Sequence, residues 1–154
     1  MTSMIGNEEY GTKVQRIGAY GVCVSKSNQM LLSRFSAPDL RWVLPGGGVA
    51  HGEHPADAVV REVSEETGYE VAVRRLLSVE SGTWRAPDST EFHAVNILYE
   101  VEVVGGVLTN EVDGGSDLAA WFPVDEVLTL HRSEIVDVAL ALRRDQSAGR
   151  TKDE

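Results

Sequence analysis

Three glutamates, Glu62, Glu65 and Glu66, lie close together in a segment that the sequence predicts to be helical. At about 100° per residue, Glu65 and Glu66 fall about 60° and 40° to either side of Glu62, so the three carboxylates share one helix face. Carboxylates at these spacings repel one another, and only Arg61 offers obvious compensation within the turn. Because Mg²⁺ and Mn²⁺ take oxygen ligands, this cluster favours a divalent metal site.

The residues just before this helix support the same interpretation. Gly46, Gly47 and Gly48 follow a short predicted strand, and a glycine-rich turn can bring backbone carbonyls and amides close to a metal ion or a phosphate. Glu53 can reach Arg61 and fix the acidic face through charge-assisted hydrogen bonds. A single exposed glutamate would be typical of a solvated surface, so it is the combination with the turn and the ion pair that favours chemistry.

Residues 47–69 resemble the signature of the Nudix hydrolase family, GX5EX7REUXEEXGU, in which U is an apolar residue. Every fixed position matches, namely Gly47, Glu53, Arg61, Glu62, Glu65, Glu66 and Gly68. Tyr69 departs from the pattern because it is aromatic where an aliphatic residue is usual, which affects packing rather than chemistry. Residues 42–47 and 121–126 also look like family segments, so the resemblance spans most of the chain.

The resemblance implies an α/β protein of the α/β/α sandwich type with a mixed sheet. It also implies hydrolysis of a nucleoside diphosphate linked to another group, through water activated beside Mg²⁺ or Mn²⁺. By position, Glu62, Glu65 and Glu66 would hold the cations, and one of them would double as general base. Gly47 would offer its carbonyl, whereas Glu53 and Arg61 would orient the helix.

Six further residues are weaker candidates for the site. Family members often add an acid from a later loop, and an ordinary solvated loop acid is the alternative for each candidate. These loop acids are Glu111, Asp113 and Asp117. Arg34 and Arg41 could contact phosphate and Trp42 could stack on a base, although surface arginine and packed tryptophan are ready alternatives.

Six strands and two helices are predicted to position these residues. The strands are predicted at residues 14–24, 29–34, 41–44, 70–80, 91–104 and 118–122. The first two flank the turn-like Lys26-Ser27-Asn28 and are interpreted as a hairpin, whereas Pro45 and the three glycines must end the third. Ser133 can cap the last helix.

The acidic helix has clear signals at both ends. Pro55 suits the first helical position and Gly68 the C-terminal cap, which predicts a helix over residues 55–67. His54 is a weaker N-cap than Ser, Thr, Asp or Asn. One apolar stripe is expected to pack inward and to leave the opposite face acidic. Its members are Ala56, Val59, Val60, Val63 and Thr67.

Length and patterning predict one domain over residues 14–145, preceded by a leader at 1–13 and followed by a disordered tail at 146–154. The N-terminus does not resemble an export signal, and no apolar run approaches the roughly 20 residues that span a bilayer. We therefore expect a cytoplasmic protein that does not act in a membrane. Cys23 is the only cysteine, so no internal disulfide can form.

The net charge of −10 has the wrong sign for tracking a long phosphate backbone, so extended nucleic acid is not expected as a partner. A small nucleotide would also be repelled unless divalent cations intervened. The expected partner is therefore a small-molecule nucleotide substrate, and a homodimer is compatible with the sequence.

Among hydrolase substrates, the single compact domain favours nucleoside triphosphates and makes a nucleoside triphosphate pyrophosphatase the first hypothesis. Nucleotide sugars and dinucleoside polyphosphates stay open, because the loops around such a site set its specificity. A nucleotide-sensing module that binds without cutting is an alternative of a different class, although it has little use for so many repelling carboxylates. An isomerase on the same fold would need further acid and base residues.

Overall fold

The computed structural model describes residues 11–150, with side chains as far as residue 145. The described chain forms seven strands, one 3₁₀ helix over Val124–Thr129 and two α-helices. The strands are β1 (Lys13–Val22), β2 (Gln29–Phe35), β3 (Trp42–Val43), β4 (Gly46–Gly48), β5 (Tyr69–Arg85), β6 (Glu91–Gly106) and β7 (Ser116–Pro123). The helices are α1 (Pro55–Thr67) and α2 (Glu134–Arg150). No helix in residues 11–150 combines the length and apolar character that crossing a membrane requires.

The strands form two sheets. The large sheet has the order β4-β1-β6-β5. It is a mixed sheet, because β1 runs parallel to β6, whereas the pairs β1-β4 and β5-β6 are antiparallel. The small sheet has the order β3-β2-β7 and is antiparallel. β4 is thus an edge strand of the large sheet, and the edge position brings its glycines next to α1.

Two apolar cores hold the layers together. One core joins α1 to both sheets through buried Ala19, Leu31, Val59, Val63 and Val101, among others. The other core joins α2 to both sheets through residues that include Met30, Leu98, Val136 and Ala139. The two sheets therefore lie between two helices, and the predicted α/β/α sandwich with a mixed sheet is confirmed.

Helix α1 has the predicted bounds. The His54 ring accepts a hydrogen bond from the Ala56 amide at 3.0 Å, so this unusual N-cap residue does cap the helix. Gly68 ends the helix at φ +77°, a left-handed conformation that glycine adopts without strain. A Cβ at position 68 would lie only 2.3 Å from the Val107 carbonyl oxygen, so the crowded space also requires glycine.

The predicted hairpin of the first two strands is wrong. β1 belongs to the large sheet and β2 to the small sheet, and the two meet only near the turn, where Val24 bridges Met30. β1 instead pairs with β4 on one side and with β6 on the other. Because successive side chains of a strand point to opposite faces of the sheet, β1 has apolar side chains on both of its faces. The turn prediction was sound, but the strands continue into different layers.

Several other boundaries differ from the prediction. Gly46–Gly48 ends the preceding strand, as expected, but then forms β4. The strands β5 and β6 extend as far as Arg85 and Gly106, beyond the predicted ends. The backbone of α2 continues to Arg150, inside the predicted tail, whereas residues 1–10 of the predicted leader and residues 151–154 lie outside the described part.

Candidate active site

Arg61 on α1 connects most of the charged groups of the site. Its Nε and Nη2 atoms donate to the two carboxylate oxygens of Glu53 at 2.9 Å each, and Nη1 donates to Glu62 at 2.9 Å. Nη2 also donates to the Gly48 carbonyl at 3.1 Å. One guanidinium thus ties the start of α1, its acidic face and β4 together, as the sequence predicted for Glu53 and Arg61.

Glu53 is fixed by more than Arg61. Its Oε1 atom accepts a hydrogen bond from the Ala50 amide at 3.0 Å. The hydrogen bonds from Arg61, followed by that amide, lower the pKa of Glu53 to about 2. This carboxylate is therefore ionised at neutral pH and holds the loop before α1 in place.

Gly47 allows the carboxylate of Glu62 to approach the backbone of β4. A Cβ at position 47 would lie 2.8 Å from both Cδ and Oε2 of Glu62. Any side chain here would displace that carboxylate, so the glycine has a local steric reason. The same contact places the Gly47 backbone beside the Glu62 oxygens, where a metal ligand was predicted.

Glu66 lies in a different environment from its two neighbours. It is only 9% exposed, and its Oε2 accepts hydrogen bonds from the Ser33 hydroxyl at 3.0 Å and the Gly46 amide at 3.1 Å. Burial is the main cause that raises the pKa of Glu66 to about 8, and the charges of Glu62 and Glu111 act in the same direction, against the hydrogen bonds from Gly46 and Ser33 that lower it. Glu66 is therefore the buried member of the acidic cluster, in contact with β2 and β4.

Glu65 differs again, since half of its side chain is exposed and Arg61 lies 3.4 Å from its carboxylate. Within residues 11–150, no group of three or more His, Cys, Asp or Glu side chains is gathered closely enough to hold a metal ion. The donors are nevertheless oxygen atoms, as Mg²⁺ and Mn²⁺ prefer, and two of the acids meet at β4. The donor chemistry therefore fits a divalent cation, with Glu65 as the side chain that has freedom to turn towards it.

The three loop acids occupy different positions. The pKa of Glu111 is raised, first by burial and then by the charges of Glu62 and Glu65. Its carboxylate is therefore within electrostatic reach of the acidic helix. Asp117 lies on β7 and not in the loop, and it binds Arg34 through two hydrogen bonds of 2.9 and 2.8 Å. Asp113 is exposed at φ +58° in the loop. Of the three loop acids, Glu111 is the one whose charge interacts with the acids of α1.

The weaker substrate-binding candidates all have partners within the protein. Arg34 is paired with Asp117 and lies 5.8 Å from the centre of the Trp42 ring. Arg41 binds Asp39 at 2.7 Å. Trp42 packs edge-on against Phe122 at 4.7 Å, which supports the packing alternative for this tryptophan.

Sequence reasoning missed Ser33 and Tyr20. Ser33 is fully buried on β2 and donates to Glu66, and a signal was present in the apolar run 30–32 that it interrupts. The Tyr20 ring packs on Gly46, where a Cβ would lie 2.8 Å from Tyr20 Cδ1. Nothing local in the sequence indicates this contact, because it depends on the pairing of β1 with β4.

The two sheets lie between two helices and define an α/β/α sandwich. Its acidic site consists of buried and half-buried acids of α1 that lie against the glycine edge strand β4. The model of the NUDIX domain matches residues 14–141, and the chain belongs to the Nudix family. A NUDIX hydrolase from Nitrosomonas europaea has the same fold, with a TM-score of 0.71 at 22% identity over 86% of this chain and 90% of that chain. The family predicted from residues 47–69 is therefore confirmed.

Curated relatives are similar over part of their length. A putative ADP-ribose pyrophosphatase, YjhB, of Bacillus subtilis is 34% identical over 104 residues, which cover 68% of this chain and 49% of that protein. A putative 8-oxo-dGTP diphosphatase of the same organism is 37% identical over 89 residues, covering 58% of this chain and 54% of that protein. The chain thus spans about half the length of the curated relatives it matches.

Proposed function

We propose that this chain hydrolyses a phosphoanhydride bond in a nucleoside diphosphate derivative, with Mg²⁺ or Mn²⁺ as its cofactor. The observation that carries the proposal is the meeting of Glu62 and Glu66 at β4, where Gly47 makes room for one carboxylate and the Gly46 amide binds the other. Two carboxylates held beside one edge strand, one of them buried, are ionised together at neutral pH only when positive charge lies near them. A divalent cation and a polyphosphate together meet that requirement.

The residues of the site would have different roles in this reaction. Glu62, Glu65, Glu66 and the Gly47 carbonyl would hold the cations, and one of the glutamates would accept a proton from the attacking water. A bound cation supplies charge neutralisation on the phosphate oxygens and makes water more acidic. Arg61 and Glu53 orient α1, because the guanidinium joins the loop, the helix and β4. Glu111 is the loop acid that its position favours for a further role.

For the substrate we propose a nucleoside triphosphate, cleaved by a pyrophosphatase reaction. The names of the two Bacillus subtilis relatives refer to ADP-ribose and to 8-oxo-dGTP, which are both nucleoside diphosphate derivatives. Nucleotide sugars and dinucleoside polyphosphates contain the same bond and belong in the test. The reaction on all of these compounds breaks a P–O bond of the anhydride and adds the elements of water.

The test is product release from a panel of nucleoside triphosphates, ADP-ribose, nucleotide sugars and dinucleoside polyphosphates in the presence of Mg²⁺. The native protein is compared with Glu66→Gln and with Glu126→Gln, which makes the same chemical change at an exposed position of the 3₁₀ helix. We expect turnover by the native protein and by Glu126→Gln, and loss of turnover in Glu66→Gln and on chelation. Turnover that survives chelation, or ligand binding without any turnover, would contradict the proposal.

A further inference from the structure

One row of residues crosses the large sheet from the acidic site. Gly18 on β1 pairs with Asn96 on β6, and Asn96 pairs with Glu80 on β5. Residues that lie directly opposite each other project from the same face of a sheet, so Asn96 and Glu80 form a cross-strand pair on one face. Tyr20, two residues after Gly18, projects from that face as well.

Tyr20 connects this row to the acids of α1. Its ring packs on Gly46, whose amide binds Glu66. The ring also leans over Gly18, where a Cβ would lie 2.7 Å from Tyr20 Cε2 and 2.8 Å from Asn96 Oδ1. The absence of a side chain at Gly18 therefore leaves its space to the tyrosine ring and the asparagine side chain, so Tyr20 lies between the Glu66 contact at Gly46 and Asn96.

The row has the length of a nucleotide. Adjacent strands lie about 4.8 Å apart, so β5 lies about 14 Å from β4 across the sheet. That distance suits a ligand whose diphosphate lies at β4 and whose base lies at Asn96 and Glu80. The half-buried positions of Tyr20, Asn96 and Glu80 leave part of each side chain accessible.

The polar side chains of the row have unused hydrogen-bonding capacity. Among the side chains that the structure describes, neither the side-chain amide of Asn96 nor the hydroxyl of Tyr20 makes a hydrogen bond. Glu80 accepts one hydrogen bond, from the Ser78 hydroxyl to Oε1 at 3.0 Å, which leaves Oε2 without a partner in that part of the chain. Partly buried polar groups normally have partners, so a ligand with complementary groups gains from binding here.

The donor and acceptor pattern selects among the bases. The Asn96 amide offers one donor group and one acceptor, and the Glu80 carboxylate offers acceptors only. Guanine presents the complement on its Watson–Crick edge, namely the O6 acceptor and the N1–H and 2-amino donors. Adenine presents a ring nitrogen acceptor next to its amino group, and that acceptor would face a carboxylate.

On these grounds we propose that Asn96 and Glu80 bind the base of the substrate and select guanine over adenine, with Tyr20 lying between them and the acids of α1. This inference rests on the proposed function, because it places the diphosphate of the same substrate at β4. It assigns specificity to two residues that lie outside the family signature at residues 47–69.

The test separates recognition of the base from turnover. Affinities for the α,β-methylene analogues of GTP and ATP, which resist cleavage at the α,β position, are measured by calorimetry with Mg²⁺ for four proteins. These are the native protein, Asn96→Ala, Glu80→Gln, and the control Val79→Ala, an exposed position next to Glu80 on the opposite face of β5. Melting curves confirm that each variant is folded.

We expect the native protein and Val79→Ala to prefer the guanine analogue by about 10-fold or more. Each of the other two variants should lose most of that preference, mainly through weaker binding of the guanine analogue. Equal affinity for both analogues in the native protein, no binding of either, or an unchanged preference in both variants would overturn the inference. Guanine-selective binding without turnover of GTP would instead count against the proposed hydrolysis alone.

Discussion

At the scale of single residues, Gly47 shows how a missing side chain can position a functional one. Glu62 occupies the space that a Cβ at position 47 would take, at 2.8 Å. The backbone of Gly47 has no positive φ, so alanine is compatible with the strand conformation. Substitution should therefore disturb the carboxylate and not the fold.

We predict that Gly47→Ala lowers kcat/KM by about 100-fold, because a carboxylate displaced by about 1 Å loses its productive geometry. The matched control is Gly82→Ala, which adds the same methyl group to a strand position with no atom within 4 Å. Steady-state kinetics with the best substrate of the panel measures the effect. Native turnover in Gly47→Ala would show that the close approach of Glu62 to β4 is unimportant.

Ser33 makes a separate contribution through its hydrogen bond to buried Glu66. We predict that Ser33→Ala lowers the free energy of unfolding by about 1–3 kcal/mol, since a buried carboxylic group loses one of its two partners. Urea denaturation at neutral pH measures the change, with Ser27→Ala in the exposed turn as the control. Equal stability of the two variants would mean that the Ser33 hydrogen bond contributes nothing.

The site residues that could be predicted are those whose partners are close in sequence. Arg61 and Glu62 lie on one helix, whose geometry fixes their relative positions, and Glu53 lies just before its start, close enough in sequence to reach Arg61. Ser33 and Tyr20 could not be found this way, since they reach the site from β2 and β1 through strand pairing. For the same reason, the inward orientation of Glu66 depends on the neighbouring strands.

At the scale of elements, α1 depends on its C-terminal cap. We predict that Gly68→Ala lowers the free energy of unfolding by more than about 1 kcal/mol, because alanine is strained at φ +77° and its Cβ would clash with the Val107 carbonyl. Chemical denaturation measures this loss. Gly115→Ala is the control, as it has neither a positive φ nor an atom within 4 Å of the added Cβ. Indistinguishable stabilities would contradict this account of the cap.

The elements differ in how well the sequence predicted them. Helix α1 was predicted to the residue because Pro55 and Gly68 mark its ends locally. The hairpin of β1 and β2 was wrong because turn residues specify a reversal of the chain but not the sheet that each strand joins. The strand formed by Gly46–Gly48 was missed because its pairing with β1 outweighs the low strand propensity of glycine.

At the scale of the whole molecule, the core that joins α1 to both sheets encloses the single cysteine. Cys23 is 3% exposed, and burial raises the pKa of its thiol to about 11. We predict that a thiol reagent at pH 8 modifies the native protein at least about 100-fold more slowly than the unfolded protein in urea, because the thiolate is the reactive form. Equal rates in the two states would show that this end of β1 opens readily.

The net charge of −10 favours the binding of cations at the acidic site that we propose. The most direct test of the central claim is the binding of Mn²⁺, followed by electron paramagnetic resonance, to the native protein, Glu66→Gln and Glu126→Gln. We predict that Glu66→Gln binds Mn²⁺ at least about 10-fold more weakly than the other two proteins, because it loses a ligand of the site. Equal binding by all three proteins, or no binding by the native protein, would contradict a divalent metal site formed by α1 and β4.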